Sequence, residues 1–201
     1  MLHIPHTVVH GQGVEQKEMF RKKNAEFLRL FANEATENKV DILFENSSRA
    51  WNPCYYGSTG AEMLEFVREA NLPYLHICWD TGHANVEGLD QYGEILAMGE
   101  ELRALHIQDN YGDADSHVMP LVGTTNFDRV LKALLEAGYK GDFTFEGSNT
   151  VRFPNSWPHY RKFQSENDRV SAPPLFIRQK QISVMYDIGK WMLESYGIPV
   201  E

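Results

Sequence analysis

The sequence has few cysteines, no long apolar run and no surplus of positive charge. Its two cysteines, Cys54 and Cys78, cannot form a disulfide framework and lack the CxxC spacing of a zinc site. No apolar stretch reaches the roughly 18 residues of a membrane-spanning helix. Residues 1–13 lack the basic start and apolar run of a secretion signal. These absences predict a cytoplasmic protein with no membrane partner.

The charge balance is acidic, with 28 acidic against 19 basic residues and a net charge of −9. Proteins that bind nucleic acid usually present a basic surface to the phosphates, so this balance argues against a nucleic-acid partner. A surplus of carboxylates instead suits a hard cation. The chain has 201 residues, of which 42% are apolar, enough for one domain with a real core. We expect a single domain over residues 1–201.

Short runs rich in β-branched and aromatic residues alternate with amphipathic stretches along the chain. The runs predict strands at 6–10, 40–45, 74–80, 102–108 and 142–146. The amphipathic stretches predict helices at 15–38, 61–70, 90–99, 126–137 and 175–196. Strands that alternate with helices in this way form a parallel α/β sheet.

Two connections are long, residues 46–60 and the loop 147–174 before the final helix. Both follow a predicted strand, so both would lie at the carboxyl ends of the strands, where α/β-barrel enzymes place their chemistry. Their aromatic residues favour a role as walls or lids over that of solvated linkers.

An acidic or imidazole side chain stands at or near the end of each predicted strand. A single such residue is ordinarily a capping or hydrogen-bonded group, but five strands in succession end this way. Carboxylates and imidazoles on one rim form a site for Mn²⁺, Mg²⁺, Co²⁺ or Zn²⁺, and without a cation the burial of several carboxylates together would be costly. The residues are His10, Glu45, Asp80, His106 and Glu146.

Further local motifs lie on the same rim. DTGH at 80–83 leaves the third strand, and LHIQDN at 105–110 leaves the fourth. DSH at 115–117 then adds another carboxylate and imidazole before PLVG at 120–123.

These motifs, in order with ILFEN and GYKGDFTFE, resemble the signatures of the xylose-isomerase-like TIM-barrel superfamily. That group includes ketose 3-epimerases, inosose isomerases and dehydratases, hydroxypyruvate isomerases and endonuclease IV, of AP endonuclease family 2. The resemblance implies a (β/α)8 TIM barrel that is incomplete here, with about five parallel βα units similar to strands 4–8. The first three units would then be absent, and we expect the native product to extend upstream or the exposed strand edges to pair in a homo-oligomer.

The resemblance implies that Glu45, Asp80, His106 and Glu146 hold one divalent metal. It implies a sugar or cyclitol isomerase or epimerase that works by proton transfer through a metal-stabilised enediolate, with Glu45 and Glu146 as the acid/base pair.

The resemblance also points to substrate contacts. His83 would hydrogen-bond a substrate oxygen, and His10, Asp115 and His117 would line the pocket. His10 and His117 could instead bind a further metal. Trp51 would form an apolar wall for the small sugar or polyol.

Tyr55 and Tyr56 are candidates for the same wall, although ordinary loop packing explains all three aromatic residues, Trp51 included, equally well. The sequence departs from the epimerase pattern at two points. Residues 108–115 lack an arginine after the histidine ligand, and residues 120–123 read PLVG in place of Pro-Gly-x-Gly. The substrate is therefore left open.

Two alternatives to the isomerase share the fold. An endonuclease IV-like zinc phosphodiesterase acting on abasic DNA would use almost the same ligand types, but the acidic balance and the lack of a basic or intercalating segment argue against it. The other alternative is a catalytically weak barrel fragment, because a full barrel has eight strands.

Overall fold

Five parallel strands form one sheet, and helices pack against one of its faces. The computed structural model describes residues 6–13, 16–50, 53–151 and 173–200. The strands are β1 His6–His10, β2 Asp41–Glu45, β3 Leu75–Asp80, β4 Leu102–Ile107 and β5 Phe143–Phe145. The α-helices are α1 Lys17–Arg29, α2 Ala32–Asn38, α3 Gly60–Ala70, α4 Thr81–Val86, α5 Gln91–Met98, α6 Phe127–Glu136 and α7 Leu175–Ser195.

The strands lie in the order in which they occur along the chain, β1-β2-β3-β4-β5, and all neighbouring pairs are parallel. The five predicted strands and their alternation with helices are therefore confirmed. This open array of consecutive βα units is a segment of a TIM barrel, as expected. β5 is shorter than predicted, but the ladder continues past its end, because the Glu146 N–H donates to the Ile107 carbonyl at 2.9 Å.

The main core lies between the sheet and the helices. Phe44, Trp79 and Leu105 point from β2, β3 and β4 toward buried helical residues such as Phe66 of α3 and Val130 of α6. These aromatic and branched side chains belong to the larger of the two buried clusters.

The opposite face of the sheet carries a smaller cluster of short side chains. Leu43, Cys78 and Ala104 are buried there, and Val8 packs against them. Because successive residues of a strand point to opposite faces, the residue two positions after each of these side chains points the same way. This alternation brings the predicted strand-end residues onto one face.

One predicted helix is wrong in its extent. The stretch predicted at 15–38 is two helices, α1 and α2, separated at Leu30 and Phe31. The amides of these two residues bond the carbonyls three positions back, and Phe31 adopts φ −100° and ψ 8°, outside the helical range. Ala35 of α2 and Leu28 of α1 are both buried in the main core.

The segment after β3, where no helix was predicted, is a short helix, α4, which Asp80 caps. The Asp80 carboxylate accepts a hydrogen bond from the His83 N–H at 2.7 Å. Among the described helices, none has both the length and the hydrophobicity that crossing a membrane requires.

Candidate metal centre

Four predicted ligands meet at the carboxyl ends of the strands. One donor atom from each lies within 4.8 Å of the donor atoms of the others. The strand register explains the meeting, because Asp80 stands beside His106 across β3 and β4, and Glu45 stands beside His10 across β1 and β2. The four residues are Glu45, Asp80, His106 and Glu146.

Glu45 is fully buried between two imidazoles. Its Oε2 lies 2.8 Å from His10 Nε2, and its Oε1 lies 3.0 Å from His106 Nδ1. Burial would raise the pKa of Glu45, but the hydrogen bonds from His10 and His106 lower it to about 2. The same hydrogen bond raises the pKa of His10. Glu45 is therefore an anion throughout the neutral range.

His106 stands between two carboxylates. Its Nδ1 is 3.0 Å from Glu45 Oε1 and 3.0 Å from Glu146 Oε2. Burial alone would lower the pKa of His106, but hydrogen bonds with Glu146 and Glu45 raise it to about 10. Without a metal, this imidazolium supplies the positive charge that the carboxylates need.

Asp80 is also fully buried, and the His83 imidazole lies 3.8 Å from its Oδ1, farther away than the two imidazoles beside Glu45. Burial, with help from the nearby charge of Glu45, raises the pKa of Asp80 to about 7, while the charge of His83 opposes the shift. Keeping this carboxylate ionised at neutral pH requires additional positive charge.

The donor set fits a divalent cation. Glu45 Oε2 lies 2.8 Å from His10 Nε2, and Glu146 Oε2 lies 3.0 Å from His106 Nδ1. Buried carboxylate oxygens need positive charge beside them, which a divalent cation would supply in place of the imidazolium protons. Three carboxylates and one imidazole match Mn²⁺, Mg²⁺, Co²⁺ or Zn²⁺.

A second group with metal-ligand geometry lies beside the first. Donor atoms of His83, Asp115 and His117 also lie within 4.8 Å of one another. Asp115 Oδ2 is 2.7 Å from His117 Nε2 and 3.5 Å from His83 Nε2. Burial would raise the pKa of Asp115, but these imidazoles hold it well below its usual value. The pKa of His83 rises to about 10 despite burial, chiefly because of the Asp80 charge.

The loop that carries Asp115 and His117 is fixed by Asp109. The Asp109 carboxylate accepts hydrogen bonds from three backbone amides, including that of Gly123 at 2.8 Å. A Cβ on Gly123 would lie 2.0 Å from the Asn110 carbonyl oxygen, so only glycine fits there. The glycine that ends PLVG therefore has a packing role in the site loop.

Two site residues were not foreseen from the sequence, Asn46 and Gln108. The Asn46 carboxamide bonds both backbone groups of Asp80, and the Asn46 carbonyl lies 2.7 Å from His83 Nδ1. Gln108 Nε2 donates to the carboxylates of both Asp80 and Asp115. Both residues directly follow or lie close to a predicted ligand, but amides at such places carry no distinctive sequence signal.

Of the two interpretations of Tyr55, a substrate wall or ordinary packing, the structure supports ordinary packing. Tyr55 is only 1% exposed, stacks on Phe44 and donates its hydroxyl to the Glu45 carbonyl at 2.6 Å. Tyr56 is partly buried against the core. Trp51 lies outside the described residues, as do residues 152–172 of the loop predicted at 147–174.

The fold and the rim of polar strand ends place the chain in the TIM-barrel class. A family model described as a xylose isomerase-like TIM barrel matches residues 1–166. The chain belongs to this family.

Comparison with individual proteins agrees with this. A ketose 3-epimerase of Arthrobacter globiformis is 34% identical over 133 residues, which are 63% of this chain and 44% of the relative. The chain thus spans less than half the length of this curated relative.

Two solved structures share the fold. An L-ribulose 3-epimerase superposes with a TM-score of 0.71 at 18% identity, covering 94% of this chain and 61% of that one. A structure of the IOLI protein with a zinc atom has a TM-score of 0.59 at 23% identity, and the match covers 70% of this chain and 53% of that one.

Proposed function

We propose that this chain carries the metal centre and the acid/base residues of a ketose 3-epimerase or a closely related sugar isomerase. The observation that carries the proposal is the convergence of four donor atoms within 4.8 Å at the carboxyl ends of the strands. The similarity to the ketose 3-epimerase supports a ketose as the substrate class. The zinc atom of the IOLI protein structure supports a divalent cation.

Glu45, Asp80, His106 and Glu146 would hold the cation. When bound, the cation would act as a Lewis acid that polarises a substrate carbonyl. His106 would have to release its proton to become a ligand, and the rigid placement of Glu45 and Asp80 in the core would fix the geometry.

Glu45 and Glu146 are the candidates for proton transfer. A carboxylate oxygen of each lies 3.0 Å from the same atom, His106 Nδ1, so both carboxylates are close to the point where a bound substrate would lie. The Glu146 side chain is 38% exposed, whereas that of Glu45 is fully buried. One carboxylate would take the proton from the carbon beside the carbonyl, and the other would return a proton to the opposite face.

His83 and His117 would orient the substrate. Both have raised pKa values, because negative charges at Asp80 and Asp115 outweigh burial. With a pKa of about 10, His83 is protonated at neutral pH. A substrate hydroxyl would accept from one of these imidazoles in place of a present partner, such as Asp115 beside His117 Nε2. Sugar hydroxyls are recognised through such donors, so these two residues suit a polyol ligand.

The experiment measures exchange of the C3 hydrogen of ketoses with D₂O by NMR, with the protein supplied with Mn²⁺ or treated with a chelator. Exchange that depends on the metal is expected, and Glu146→Gln is expected to slow it by about 10²-fold or more. Glu101→Gln is the matched control, because Glu101 makes a comparable pair with His76 at 2.7 Å away from the centre.

Cleavage of abasic-site DNA without any exchange of ketose hydrogens would contradict the proposal. An equal loss of exchange rate in Glu146→Gln and Glu101→Gln would show that the substitutions act through stability rather than through the chemical step.

A further inference from the structure

Gln108 lies between the two groups of candidate ligands. It follows β4 directly and is fully buried. Its Nε2 is 3.2 Å from Asp80 Oδ1 and 2.6 Å from Asp115 Oδ1. One side-chain amide therefore donates to a carboxylate of the four-ligand centre and to the carboxylate that holds His83 and His117.

All three residues of the DTG segment at 80–82 shape the position of Gln108, two by hydrogen bonds and one by leaving space. Asp80 accepts from the side chain. The Thr81 hydroxyl accepts from the Gln108 N–H at 3.1 Å and lies 2.7 Å from the Gln108 carbonyl oxygen, to which it can donate. Gly82 leaves the space, because a Cβ there would lie 2.1 Å from Cδ and Oε1 of Gln108.

The orientation of the amide is determined by its surroundings. Oε1 of Gln108 has no hydrogen-bond partner among the described residues and faces Gly82. The flipped amide would turn this oxygen toward the carboxylates of Asp80 and Asp115, where like partial charges repel. The N–H groups must therefore face the two carboxylates.

We propose that Gln108 is a positioning residue that holds Asp80 and Asp115 in their orientations and links the metal centre to the His83–Asp115–His117 group. The proposal rests on the proposed function, because it assumes that Asp80 binds a metal. Partners that orient a ligating carboxylate typically change metal affinity by about 10- to 100-fold when they are removed. Gly82, in turn, is required because any side chain there would displace Gln108.

The first experiment compares Gln108→Met with Gln91→Met by calorimetric titration with Mn²⁺. Gln91 is a buried amide that bonds Trp79 Nε1 and the Thr81 carbonyl but no carboxylate, so both variants lose buried hydrogen bonds. Gln108→Met is expected to weaken Mn²⁺ binding about 10- to 100-fold, and Gln91→Met is expected to leave it within about threefold. Equal weakening in both variants would overturn the proposal.

The second experiment is a double-mutant cycle of Gly82→Ala and Gln108→Ala, measured by urea unfolding of the metal-free protein. Gly82→Ala is expected to destabilise the protein that has Gln108 and to cost little more once Gln108 is truncated, because the new methyl group then has room. Additive effects would contradict the contact on which the positioning role depends.

The two experiments separate the two proposals. If the unaltered protein binds no Mn²⁺, the proposed function fails, and with it the link from Gln108 to a metal. If the unaltered protein binds Mn²⁺ but the effects of Gly82→Ala and Gln108→Ala are additive, the metal centre is supported and the positioning role of Gln108 is contradicted.

Discussion

The side chain of Asn46 pairs with the backbone of Asp80 as a neighbouring strand would. Asn46 Oδ1 accepts from the Asp80 N–H at 2.6 Å, and Asn46 Nδ2 donates to the Asp80 carbonyl at 3.1 Å. The carboxamide thus extends the pairing of β2 with β3 beyond Glu45, where β2 ends. This fixes the main chain of Asp80 while leaving its carboxylate directed into the centre.

We expect Asn46→Ala to destabilise the protein by about 1–3 kcal/mol, because two buried backbone groups of Asp80 lose their partners. It is also expected to weaken Mn²⁺ binding. Asn24→Ala is the matched control, since Asn24 is a buried amide with comparable bonds to Gln12 and Phe20 far from the centre. Urea unfolding and Mn²⁺ titration of both variants test the prediction. If Asn46→Ala loses stability but keeps its Mn²⁺ affinity, Asn46 does not position Asp80 for metal binding.

Metal binding should release protons. The pKa of His106 is about 10 in the metal-free protein, so at neutral pH a cation must displace the proton of this imidazole. The affinity for Mn²⁺ is therefore expected to rise with pH by about tenfold per pH unit above pH 7. Below about 7, the pKa of Asp80, the dependence steepens, because that carboxyl is then also protonated.

Calorimetry in two buffers of different ionisation enthalpy measures this proton release directly. Glu45 and Glu146 contribute nothing in this range because their pKa values are lowered. An affinity that does not change with pH across the neutral range would show that His106 is not a ligand.

The loop that presents Asp115 and His117 should depend on Gly123. Gly123→Ala places a Cβ 2.0 Å from the Asn110 carbonyl oxygen and 2.5 Å from Asp109 Oδ1, and we expect a loss of about 1–3 kcal/mol in the free energy of unfolding. In Gly93→Ala the new Cβ meets only Asp90 Oδ2, at 3.9 Å.

Because Gly93 lies within α5, alanine there should stabilise the protein by about 0.5–1 kcal/mol. Urea unfolding of the two variants compares them. Equal changes in Gly123→Ala and Gly93→Ala would contradict the packing of the loop described here.

The sequence predicts the sheet and the shared rim of five strand-end residues because both follow from local patterns, whereas the choice of four of them as ligands comes from the family resemblance. Continuous apolar runs mark buried parallel strands, and strand ends that share an edge bring their side chains together. Glu45, Asp80 and His106 each end or nearly end such a run.

The amides that orient the ligands are not predictable in this way. Asn46 and Gln108 act through contacts that join residues 34 and 28 positions apart, and the motifs ILFEN and LHIQDN that contain them do not show which partner each amide has. The break between α1 and α2 was not predictable either, because residues 16–38 contain no glycine or proline to mark it. Ala35 of α2 is buried in the main core.

The central claim is that Glu45, Asp80, His106 and Glu146 hold a divalent cation. Anomalous diffraction from crystals soaked in Mn²⁺ tests it most directly. We expect an anomalous peak within coordination distance of one donor atom of each of these four residues. A peak bound instead only by His83, Asp115 and His117, or no peak at the carboxyl ends of the strands, would contradict this claim.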